Sequence, residues 1–208
     1  MKYKLTKNTK EVNGITLFQI QALKDFGDVK KRDLGGWIEK EKNLCQEDNS
    51  WVYGNAEVSG DALISGNAKV YGNAWVSGDV EVFDNAWVFG NAKVFGDAKV
   101  FGDDMVFGNA LVFGNAEVSG NAEVYGNAMV YGNAKVYGDA EVSGDAKVFG
   151  NAKVFGDDMV FGEANVVCEK KDIFDDFDVL SDDIEEVVIK GVRYKKVTET
   201  KTTWKKVS

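Results

Sequence analysis

From Trp51 to Ala164 the chain repeats one six-residue phrase nineteen times without insertion or deletion, nearly always as xV(F/Y/S)G(N/D)A. The second position is Val in eighteen units and Ile64 in the other, and the fourth is Gly in eighteen, with Asp84 the exception. The sixth is Ala in sixteen units, replaced by Val80, Asp104 and Asp158, and the third is aromatic in fourteen and Ser in five. Side chains of an extended chain alternate between faces, so positions 2 and 6 point one way and positions 1 and 3 the other. Position 1 is Lys or Glu in most units, and such residues cannot line a dry interior unpaired. Val and Ala are therefore expected to face inward and the aromatics outward. Gly followed by Asn or Asp supplies residues that tolerate positive φ, so each unit reads as a short strand ending in a corner.

A unit this short cannot bury its own apolar face and must stack on its neighbours. Three hexads per triangular coil make every eighteenth residue a vertical neighbour at roughly 4.8 Å, giving a prism on the order of 30 Å tall. Pairs such as Val88 with Ala92, and Val112 with Ala116, resemble the motif of hexapeptide-repeat left-handed β-helix proteins, an aliphatic residue followed four positions later by a small one. The N-terminal runs Leu17-Phe18-Gln19-Ile20, Asp25-Phe26-Gly27-Asp28-Val29, Gly35-Gly36-Trp37-Ile38-Glu39 and Asn43-Leu44 are similar to the start of bacterial and phage hexapeptide proteins labelled acetyltransferases. The expected fold is all-β: a single-stranded left-handed parallel β-helix, with a β cap at the N-terminus and a small β-rich C-terminal extension. The left hand is implied by the resemblance alone.

Three segments are expected. Residues 1–50 form a cap and first irregular rungs, with an Asn13-Gly14 hairpin signal and a six-residue spacing of Ile38 to Leu44. Residues 51–168 form the β-helix. Residues 169–208 form a C-terminal cap or an interaction module, with Ile173–Leu180 as a short helix or acidic linker and Glu186–Tyr194 as a hairpin.

The net charge of −9 is unevenly spread, and the array carries 6 basic against 16 acidic residues. An acidic rod disfavours direct nucleic-acid binding, which needs a basic surface. No apolar run is long enough to cross a membrane and no signal-like start is evident, so a cytoplasmic location is expected, in a bacterial host cell if the chain is phage-encoded. Cys45 and Cys168 flank the array and read as reduced thiols.

The resemblance implies an acyltransferase scaffold, in which a histidine is the general base and coenzyme A lies between subunits. This chain has no histidine. A carboxylate could serve if suitably placed. Asp104 and Asp158 each replace an inward Ala, and Lys99–Met105 recurs at Lys153–Met159, so a duplicated block explains both residues more simply than a site does. The column Asp61, Asp79 and Asp97 offers too few oxygens for calcium, and Asn55, Asn73, Asn91, Asn109 and Asn127 read as an amide ladder. No catalytic residue, metal or cofactor is assigned.

Sorting position 1 by coil register separates three walls. The first carries Trp51, Lys69, Trp87, Met105, Glu123, Glu141 and Met159; the second carries Glu57, Trp75, Lys93, Leu111, Met129 and Lys147. The third alternates in charge through Glu81, Lys99, Glu117 and Lys135. Outward rings, among them Phe89 and Phe107 on the first wall and Phe95, Phe113 and Tyr131 on the second, add apolar surface. They either stack on one another or call for a partner. Homo-oligomerisation as a dimer or trimer and binding of a protein target both follow as expectations. The resulting reading is a non-catalytic binding or scaffold protein, in a phage an inhibitor of a host protein. The alternatives are an acyltransferase with a carboxylate base and a structural module of a virion or surface assembly.

Overall fold

The computed structural model describes residues 1–168, with side chains through Val167, and the backbone of strands Glu186–Ile189, Val192–Val197 and Thr203–Lys206. Each hexad of the array lays one short strand onto one of three sheets, of ten, seven and six strands. Pairing within the array is parallel and steps by eighteen residues. Trp87 lies between Lys69 and Met105, Leu111 between Lys93 and Met129, and Lys99 between Glu81 and Glu117. The chain is thus a parallel β-solenoid with three walls.

The interior is built as the repeat dictates. Position 2 Val and position 6 Ala are fully buried along most of the rod, from Val52 and Ala56 to Val148. Fully burying a Val is worth about 1.5–3 kcal/mol, so the stacked columns supply a core that no single unit could. The corners need glycine for two reasons. Gly96 has φ +80, and a Cβ placed there would sit 2.9 Å from the backbone N of Gly114 in the next coil. Asp84 holds the same left-handed turn at φ 58, which a short polar side chain tolerates better than most.

At the N-terminus, β1 (Tyr3–Val12) and β2 (Ile15–Ala22) pair antiparallel around Asn13 and Gly14, both at positive φ, as the Asn-Gly signal predicts. β3 (Leu34–Ile38) then pairs antiparallel with β2 on one side and parallel with Glu57–Val58 on the other. That change of direction converts a hairpin into the first rung. Ile38 meets Val58 and Leu44 meets Ile64, so the expected six-residue rung is present. The offset there is twenty residues instead of eighteen, and the two additional residues lie before the array begins. Tyr3, Leu17 and Ile20 are buried as the cap closes one end of the core. The expected C-terminal hairpin forms between Glu186–Ile189 and Val192–Val197, with Thr203–Lys206 as a third antiparallel strand. Ile173–Leu180 lies outside the described residues.

Candidate functional site

The outward rings stack along the rod. On the first wall Tyr71, Phe89, Phe107 and Tyr125 follow one another at 4.8 Å between centroids and within 9° of parallel. On the second, Phe95, Phe113, Tyr131 and Phe149 do so at 4.8–5.1 Å, and Trp75 tilts onto Phe95 at 5.9 Å. Face-to-face stacking at the strand spacing covers the ring faces and leaves mainly the edges to solvent. The aromatics named as a candidate face, Phe89, Phe95, Phe107, Phe113 and Tyr131, are accordingly half-buried, as are Trp75, Met105, Leu111 and Met129. Trp87 remains 39% exposed on the first wall, with Lys69 Nζ 5.5 Å from its ring, and Met159 and Phe161 are exposed further along it.

Trp51 is a correction. It occupies the first-wall column that the periodicity assigns, yet it is 1% exposed. Tyr3 and Phe26 of the N-terminal cap meet its ring edge-on at 6.0 and 5.3 Å. Counting by register gives a residue's wall but says nothing of a cap folded across that wall, so Trp51 belongs to the core and not to a partner face.

That cap also holds a polar cluster with no signal in the sequence. Lys2 is fully buried, its Nζ donating to Asp48 Oδ1 at 3.0 Å and to the Ser50 carbonyl at 2.7 Å, with the Phe26 ring 5.0 Å away. Burial lowers the Lys2 pKa, opposed by the Asp48 carboxylate. Burial alone would raise Asp48, but hydrogen bonds from Ser50, Cys45 and Lys2 hold it down at about 2. Its other oxygen accepts the Gly66 N–H at 2.6 Å, which ties the cap to the second coil.

The inward carboxylates are where the repeat puts them: Asp104 is fully buried and Asp158 is 4% exposed. Asp104 Oδ1 accepts the Ala122 N–H at 2.7 Å, whereas at Ala68 and Ala86 the equivalent N–H turns back to the carbonyls of Ser65 and Phe83 at 3.3 Å. Asp104 Oδ2 has no hydrogen-bond partner. Burial pushes this carboxyl up to about 7 against the hydrogen bond from the Ala122 N–H and the nearby Phe101 N–H, with Asp103 adding to the rise. Asp158 accepts the Phe155 N–H at 3.4 Å. The Asp104 carboxyl has no surface open to solvent.

The corners carry the amide ladder read from the sequence. Asn55, Asn73, Asn91, Asn109 and Asn127 each donate to the next, 3.0–3.3 Å apart, and Asn127 donates to Asp145 at 2.9 Å. Asp61 is engaged by Lys40 and Lys42, which lower its pKa to about 2 through hydrogen bonds from Lys42 and then Lys40. Among the described residues no cluster of acidic or sulfur side chains is gathered as a metal site. On the third wall Lys99 pairs with Glu81 at 3.0 Å and Lys135 with Glu117 at 2.6 Å, the alternation expected of stacked strands.

Comparison with known proteins agrees with the architecture. Residues 62–78 and 122–138 match the YdcK beta solenoid repeat model. A stretch of 39 residues is 49% identical to a protein of Escherichia coli K12 named "uncharacterized acetyltransferase YdcK". That match spans 19% of this chain and 12% of the relative.

Proposed function

We propose that this hexapeptide-repeat β-solenoid protein works by binding, as a scaffold whose recognition surface is the first wall and whose partner is a protein. The observation that carries this reading is the ordered ladder from Tyr71 to Tyr125, flanked by Trp87 and Met105, on a rod with excess negative charge. Ring edges and an indole give contact area at little entropic cost, and a thioether beside them adapts its shape to the partner, which is the chemistry of interface anchors. The lack of histidine and the enclosure of Asp104 support a non-catalytic role. The partner is a second copy of the chain or a foreign protein with a basic surface.

Native sizing of the purified chain, alone and in bacterial lysate, tests this. A complex or multimer is expected whose formation weakens at least about tenfold in the Trp87→Glu, Met105→Glu double variant, because charges then replace the anchors. A monomer in both conditions, or assembly indifferent to these changes, would contradict the reading. The name of the E. coli relative favours a second reading, acyl transfer from acetyl-coenzyme A at a site not involving Asp104. Saturable heat on titration with acetyl-coenzyme A would support it.

A further inference from the structure

On the third wall Phe101 stacks on a single ring, the pair being bounded by Ser119 beyond Phe101 and, in the other direction, ending at Phe83. One face of that ring is covered by Phe101, at 4.7 Å and 3°. Eighteen residues earlier, where another ring would cover the opposite face, the chain has Ser65. The missing ring opens a cavity of about 290 Å³ lined by Leu63, Ser65, Gly66, Glu81, Phe83 and Asp84. Leu63 is 39% exposed at its edge. Two of the six lining residues carry carboxylates and none is basic. Asp84 stands where every other unit has glycine, so the second carboxylate comes from the array's single corner substitution. Glu81 Oε2 receives Lys99 Nζ at 3.0 Å, but both side chains are about half exposed, and such pairs exchange partners at little cost.

We propose that this cavity binds an arginine side chain presented by a basic segment of a partner protein. The assignment rests on the reading of the rod as a binding surface and places a second contact on a different wall. A guanidinium is planar, so it can occupy the vacant rung and stack on the open face of Phe83 while its edge donates to Glu81 and Asp84. Its methylene stem then lies along Leu63. A neutral ring would complete the stack but leave the two carboxylates beside an apolar group. A lysine ammonium would meet the carboxylates as a point charge without using the flat face. A calcium ion would find two carboxylates where it takes six or more oxygens.

Two substitutions test the site without threatening the fold, because each installs the residue the repeat itself prefers. Ser65→Phe fills the cavity with the missing ring, and Asp84→Gly restores the corner glycine. The probe is a fluorescein-labelled arginine-rich peptide, compared by anisotropy with the same peptide carrying lysine or citrulline. The arginine peptide should bind the full chain, lose at least about tenfold in affinity with Ser65→Phe, and lose about threefold or more with Asp84→Gly. Citrulline should weaken binding as much as the filled cavity does, and Ser77→Phe on the second wall should leave it unchanged. Binding indifferent to Ser65→Phe, or equally tight for lysine or citrulline, would overturn the proposal. Its failure is separable from that of the first-wall reading. Peptide binding that ignores Ser65→Phe, while Trp87→Glu, Met105→Glu still disrupts assembly, removes the cavity and keeps the wall. The opposite pattern removes the wall and keeps the cavity.

Discussion

Asp104→Ala is expected to make the protein more stable at neutral pH, against the usual cost of a core substitution. The Asp104 carboxyl is fully buried, leaves Oδ2 without a partner, and has its pKa raised from 3.8 to about 7 by burial. Above the raised value the folded rod holds a buried charge that the unfolded chain keeps in water. Between about pH 4 and pH 7 the folded chain retains a proton that the unfolded chain releases, so stability falls as pH rises through that window and is flat above it. The gap from 3.8 to about 7 corresponds to an upper figure of about 4 kcal/mol. Ala is the residue of the repeat at this position, and the Ala122 N–H can turn back to its own corner as it does at Ala68 and Ala86. A gain of about 3 kcal/mol at pH 7.5, shrinking to less than about 1 near pH 4, is the expected outcome of urea titrations at the two pH values. Asp104→Asn should remove the pH dependence while preserving the acceptor to Ala122. An Asp104→Ala variant no more stable than the parent at pH 7.5 would show that the carboxyl carries no such penalty.

Asp48→Ala should act in the opposite direction, with a loss of about 3 kcal/mol at neutral pH. The substitution leaves the Lys2 ammonium fully buried with only Ser50 to receive it, and it orphans the Gly66 N–H. The Asp48 pKa is lowered from 3.8 to about 2, so its contribution is fully present above 3.8 and fades as pH falls through about 2. The difference between parent and variant should therefore narrow toward that pH. Lys2→Met together with Asp48→Ala should recover part of the loss, because no unpaired charge then remains in the cap. A single Asp48→Ala variant unfolding at the parent's urea concentration would mean that the cluster does not hold the cap in place.

The array was legible to the level of individual contacts because its period couples local and long-range structure. A residue's place in the hexad gives its face, and its place in the eighteen-residue coil gives its neighbours. Hence the wall membership of Met105, the pairing of Glu81 with Lys99 and the ladder from Asn55 to Asn127 are all legible in the amino-acid sequence. The cap was legible only as strands. Lys2 meets Asp48 across 46 residues of non-repeating chain, and no period links them. Trp51 fell between the two regimes, placed correctly by the array and then covered by a cap whose path the array does not encode. The candidate site was half legible. The sequence named the rings and the inward acids and offered stacking as one reading of the rings, but not that Ser65 uncovers a ring face at Phe83.

The constancy of the eighteen-residue step also fixes how such a rod can change length. Insertion or deletion of whole coils leaves every column in line, merely adding or removing a rung of about 4.8 Å. The block Lys99–Met105 and its copy at Lys153–Met159 lie 54 residues apart, three whole turns, and respect that rule. Gain or loss of a single hexad would instead rotate all that follows by one face, setting the tryptophan column of one half over the charged column of the other. Length is therefore quantised in turns, and rods of different length built on this repeat present the same face.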